Sequence, residues 1–201
     1  MHAPSTRIRR AAVLAVAPVA ILVAGLLVWQ GSTAAFTAQT RNIGNSWGTG
    51  TVSLSDDDLG AAAFQITNAT PGQTGSKCIL VTSTSTDAGV VKLYLARLGA
   101  DGLENNITVS TEIGTGGTFN SCAGFVAEAP ALPAESLATV AAEHSAYSSG
   151  VLPWTTTGTP GESKSYRVTW VFDTTGLTQT QVDALQGKSA SADVVWELQT
   201  S

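Results

Sequence analysis

The chain reads as an all-β protein: a β-sandwich with two short helices in its connections, preceded by an N-terminal signal or membrane helix. Three observations carry that reading. Past residue 50 the sequence is a succession of short stretches alternating apolar and polar residues, punctuated by Gly, Pro, Asn, Asp and Ser. The composition is rich in Thr, Ser, Gly, Val and Ala and poor in charge, the mix that strands and turns use. Helical spacing appears in two short pieces only, and many strands with few helices pack as layers of sheet.

The start of the chain is different. Arg7, Arg9 and Arg10 form a basic region, followed by an uncharged apolar run over residues 11–29 and a small, polar stretch from Gln30 to Ala35. Small residues at Ser32 and Ala34 suit a signal-peptidase cut between Ala34 and Ala35, with a cut after Ala35 nearly as good. A retained anchor is the competing reading, because a run of about 19 residues approaches the length that spans a bilayer. The expected organisation is a signal segment 1–34, an N-terminal extension 35–50 and a sandwich domain 51–201.

Cleavage removes three of the ten basic residues and none of the fifteen acids, which leaves a net charge near −8. Nucleic acids and anionic membrane surfaces call for basic patches, so neither is an expected partner, and membrane contact is confined to the signal before cleavage. Roughly 165 residues remain, enough for one domain with a core but hardly for two.

The strands follow in order. Residues 51–55 alternate as a half-buried strand does, and Asp56, Asp57 and Asp58 turn the chain. Phe64 and Ile66 mark a second strand, closed by Asn68, Thr70, Pro71 and Gly72. Residues 77–84 strongly favour β structure, and residues 90–98 carry Val91, Leu93 and Leu95 on one face. Ile107, Val109 and Thr111 alternate again before the loosening glycines Gly114, Gly116 and Gly117. Residues 133–144 place Leu137, Val140, Ala141 and His144 at helical spacing. Residues 166–172 put Tyr166, Val168, Trp170 and Phe172 on one face. Thr178 to Gln181 looks like a capping box and opens a second helix that ends near Gly187. The last strand is the clearest, with Ala190, Ala192, Val194, Trp196 and Leu198 pointing one way.

Cys78 and Cys122 sit in an oxidising setting if the chain is exported. Paired, they close a loop of about 45 residues and stabilise by roughly 4 kcal/mol in the chain-entropy model. Two buried free thiols are the alternative, and a zinc site is a poor explanation without nearby histidine.

Catalytic patterns are sparse. Past the signal the one histidine is His144, so any Ser-His-Asp arrangement must use it, and no G-x-S-x-G surrounds a candidate serine. H-E-x-x-H, a phosphate-binding loop and a dinucleotide fingerprint are missing from the sequence. No catalytic, cofactor-binding or metal-binding residue is assigned, and no cofactor is expected. Asp56, Asp57 and Asp58 offer oxygens to a hard cation such as calcium, but a solvated acidic turn is the simpler expectation. Asn68 and Asn106 begin glycosylation sequons. Trp170 and Trp196 read as core, whereas Trp47 and Trp154 stay open between core and surface, because each sits among glycines, threonines or prolines.

Ser32 to Phe36, followed by the run from Asn45 to Leu54 (NSWGTGTVSL), resembles the start of TasA/camelysin proteins. Pro71-Gly72 before a long strand and the closing pattern of residues 166–172, Gln186-Gly187 and 194–198 are similar to that family as well. The cysteines and the acidic triplet depart from the pattern. The resemblance implies a jelly-roll sandwich, processing by a SipW-type signal peptidase, and an extracellular or cell-surface location on a Gram-positive-type bacterium. It further implies self-association into biofilm-matrix fibres by donor-strand exchange, in which a freed N-terminal segment joins the sheet of the next subunit. Here the donor is expected at about residues 35–47, with Phe36, Ile43 and Trp47 as anchors. Camelysin-like members suggest a surface metalloprotease as an alternative, and a monomeric surface binding module is a third reading.

Overall fold

The computed structural model describes residues 52–63 and 68–200, together with the backbone of residues 37–41. The chain divides into two units between Ala35 and Phe36, and every described residue belongs to the second. Ten strands are described: β1 (Thr37–Arg41), β2 (Leu54–Asp56), β3 (Thr74–Ser83), β4 (Gly89–Ala100), β5 (Ile107–Thr115), β6 (Val126–Ala127), β7 (Glu135–Ser136), β8 (Val151–Thr156), β9 (Glu162–Phe172) and β10 (Ala190–Thr200). Two short helices, α1 (Leu137–Glu143) and α2 (Gln179–Ala184), lie in connections.

The strands form two antiparallel sheets. The four-stranded sheet has the order β1-β10-β4-β8, and the six-stranded sheet the order β2-β3-β9-β5-β6, with β7 also on β5. The chain changes sheet from β1 to β2, β3 to β4, β4 to β5, β7 to β8, β8 to β9 and β9 to β10. Interleaved crossings of this kind are the winding of a jelly roll. The sandwich expected from the alternating pattern is therefore the fold.

The long strands bury one face because their side chains alternate. Tyr166, Val168, Trp170 and Phe172 on β9 are all buried, as are Trp196 and Leu198 on β10. The Tyr166 and Trp196 rings meet between the sheets, centroids 5.5 Å apart and tilted by 58°. Each fully buried apolar side chain of this size contributes about 1.5–3 kcal/mol.

Local signals explain the helices. Thr178 accepts from the Gln181 amide while the Gln181 side chain accepts from the Thr178 amide, so the expected capping box is present. Gly187 follows the helix at φ 74°, the left-handed region glycine tolerates. The first helix is shorter than its spacing suggests. It starts at Leu137 rather than 133, because Glu135 and Ser136 pair with β5 and the Ser136 hydroxyl then caps the helix through the Thr139 amide.

Two further expectations change. Strand β8, around Pro153, has no regular alternating signature, yet it pairs with β4 through a bulge. Leu152 (φ 47°) and Pro153 form the extra residue pair between Trp154 and Val151, and a bulge is where a strand tolerates proline. Trp154 is consequently core, only 7% exposed, rather than a surface aromatic. The glycine-rich stretch is also structured: Gly114 belongs to β5, and the chain beyond it folds back across β3. Phe119 lies under the Lys77 ammonium, Phe125 lies under the Arg167 guanidinium, and the Cys78–Cys122 disulfide ties this loop down. The expected strand at Phe64 and Ile66 lies outside the described residues.

Candidate functional site

The four-stranded sheet has its N-terminal strand at one edge. Strand β1 runs antiparallel to β10, pairing Thr37 with Gln199, Ala38 with Leu198, Gln39 with Glu197, Thr40 with Trp196 and Arg41 with Val195. That register is informative. Residues 195–198, four in a row, are buried on β10, whereas residues 190–194, which β1 does not reach, are exposed at Ser191 and partly exposed elsewhere. The ladder thus covers the stretch of β10 that supplies Trp196 and Leu198 to the core. Among the described residues no strand pairs with the other side of β1, which makes it an edge strand of the described sheet.

Beneath the ladder lies a polar cluster on the outer face of the sheet. Glu197 is only 4% exposed, and its carboxylate accepts from the Tyr94 hydroxyl at 2.8 Å and from the Gln199 side-chain amide at 2.8 Å. Tyr147 packs nearby with its hydroxyl donating to the Val90 carbonyl at 2.9 Å, under the Lys92 ammonium. Burial raises the Tyr147 hydroxyl above its usual range, and the Glu197 charge adds to that. Sequence reasoning missed this cluster. An acid and a tyrosine at single outward positions look like ordinary surface residues, and only the pairing of Val195 with Tyr94 and of Glu197 with Lys92 brings them together.

The other candidate residues fall elsewhere. His144 caps the end of α1, where its Nδ1 donates to the Ser149 carbonyl at 2.8 Å and its own carbonyl accepts from Leu95. The acidic triplet is not a solvated turn. Asp57 accepts from the Leu80 amide with one oxygen and from the Phe119 amide with the other, so it braces β3 against the disulfide loop. Asp58 is 3% exposed and accepts from the Gly60 amide at 2.6 Å. Burial is the main reason its carboxyl is pushed up to about 6. The Gly60 bond opposes that shift, and the neighbouring Asp56 carboxyl adds to it. Among the described residues no three His, Cys, Asp or Glu side chains gather as a metal set. Cys78 and Cys122 form a disulfide across a Cα separation of 5.2 Å, and no free cysteine is present among the described residues. Of the sequons, Asn106 is held by the Asp173 carbonyl and Asn68 is exposed.

The expected cleavage residues Ala34 and Ala35, and the expected anchors Phe36, Ile43 and Trp47, lie outside the described residues. No helix among the described residues is long and apolar enough to cross a membrane. No protein-family model matches the chain, and no curated protein matches its sequence.

Proposed function

We propose that this chain is an exported structural subunit that assembles outside the cell by exchanging its N-terminal strand between copies. One observation carries the reading: the strand directly after the expected cleavage site is the edge strand of a jelly roll, held to β10 along a five-residue ladder. A strand at a sheet edge can leave without dismantling the layers beneath it. Donated to the β10 of a second copy, it remakes the same hydrogen bonds and covers the same Trp196 and Leu198. Exchange therefore conserves the contacts and is opposed mainly by the entropy of association. Head-to-tail exchange in which each copy donates to the next and the rotation does not close builds a filament. Cleavage at Ala34–Ala35 gives the donor a free end, and Phe36, Ile43 and Trp47 are its proposed anchors. The partner is another copy of this chain, the role is structural rather than enzymatic, and the family reading is TasA/camelysin-like.

Electron microscopy of protein beginning at Ala35, beside a version lacking residues 35–47, tests the proposal. Filaments from the first and none from the second are expected. Monomers from both, with β structure retained by circular dichroism, overturn it.

A further inference from the structure

The two halves of the sandwich are filled differently. Around Trp196 and Tyr166 the space between the sheets is packed with large side chains that are almost fully buried. Where β10 begins, small residues replace them, and a cavity of about 230 Å³ remains between the sheets. Its walls include Leu95, Val109, Trp170, Ala192 and Val194, and α1 lays Val140 across it. None of the described residues lining it is charged. Several of these apolar walls, Val109, Val140 and Val194 among them, are partly exposed, and α1 buries none of its residues fully. Apolar surface left in contact with water costs about 25 cal/mol per Å², so a guest that covers these walls is favoured.

A second cavity of about 680 Å³ lies beneath α2, next to this chamber. The two share Ala69, Leu103 and Ala190. The character of the walls changes there, because the second cavity adds the polar side chains of Gln179, Asp183, Gln186, Lys188 and Ser189 to apolar ones such as Phe172 and Val182. Its two charged groups are engaged within the protein: Lys188 pairs with Asp101 at 3.3 Å, and Asp183 accepts from the Gln179 amide at 2.8 Å. Side-chain amides and a hydroxyl are the remaining polar groups among these residues, and they suit an uncharged head group with hydroxyls.

We infer that this end of the sandwich binds a single-chain amphiphile, its hydrocarbon tail between the sheets and its neutral, hydroxylated head beneath α2. The size agrees. A dry apolar cavity of about 150 Å³ accepts benzene, and on that scale 230 Å³ holds a tail of roughly nine carbon atoms. The site lies at the start of β10, away from the β1 ladder at residues 195–199, so it does not depend on assembly.

The test is calorimetric titration of the full chain with 1-monooctanoylglycerol below its aggregation concentration. Saturable one-to-one binding is expected, with glycerol alone giving none. Ala192→Phe, which fills the chamber, weakens binding at least tenfold. Val140→Trp narrows the same chamber from the partly exposed helix face and does the same should the first variant fail to fold. Gln186→Ala weakens monooctanoylglycerol several-fold but leaves 1-octanol unchanged. Absence of saturable binding to the unaltered chain overturns the inference, as does equal binding by a folded Ala192→Phe or Val140→Trp variant.

Discussion

The Tyr94 hydroxyl donates a 2.8 Å hydrogen bond to Glu197 across adjacent strands, and both residues are buried on the outer face of the sheet that β1 edges. A buried carboxylate keeps its charge only where donors replace water. Tyr94→Phe removes one of those donors and leaves the shape of the site intact. The expected loss is about 1–3 kcal/mol, the cost of leaving a buried acceptor underbonded, read as a lower urea midpoint with an unchanged slope.

Asp58 makes stability depend on pH in an unusual direction. Its folded value of about 6 stands above the ordinary 3.8, with burial the largest cause. Between those values the folded chain holds a proton that the unfolded chain has released, so stability falls as pH rises through that window and levels off above it. The total is on the order of 2 kcal/mol. Urea unfolding of Asp58→Asn, compared with the parent at a series of pH values, is expected to lack this slope and to be more stable at pH 7. Glu162, whose carboxylate accepts from the Thr157 amide and is lowered by it, acts in the opposite sense at lower pH.

The disulfide joins residues 44 apart in the sequence, and a closed loop of that length constrains the unfolded chain by roughly 4 kcal/mol in the entropy model. Cys78→Ser with Cys122→Ser is expected to lose about that much and to free the 116–125 loop from β3. Hydrogen exchange checks the second part, with the Phe119 amide, now bonded to Asp57, losing protection.

Gly89 sits where β4 meets both its neighbours. A Cβ there lies 2.5 Å from the Gln199 carbonyl oxygen and 2.8 Å from Leu198 Cδ1, closer than real Cβ atoms approach. Backbone cannot yield as a side-chain tip can. Gly89→Ala is expected to destabilise by roughly 1–3 kcal/mol through overpacking. Because the clash lies on the β10 residues that carry β1, thermal unfolding and filament formation should both respond.

Much of the fold is legible in local pattern. The alternation from Ala190 to Leu198 and from Tyr166 to Phe172 marks which face is buried, because a strand repeats every two residues whatever its partner. Thr178 and Gln181 announce a helix start because a capping box is satisfied within four residues. Strand β8 escaped notice because Leu152 and Pro153 form a bulge, and a bulge breaks the period that sequence reading depends on. The same break leaves the burial of Trp154 open in the sequence, and the structure places it in the core.

The sequence by itself determined most of the long elements and their inward faces: alternating stretches that had to become strands, a capped second helix, and a pair of cysteines able to join. Only the tertiary structure decided the partners. It set β1 on β10, brought Glu197 under Tyr94, buried Asp58, turned Asp57 into a brace, and left a chamber between the sheets at the start of β10. Periodicity is a property of neighbouring residues and survives in any segment read alone. Which edge a strand takes, and whether a carboxylate is wet or buried, depends on residues brought near from far along the chain. Strands β1 and β10 are separated by nearly the whole domain, so no local pattern could report that they meet.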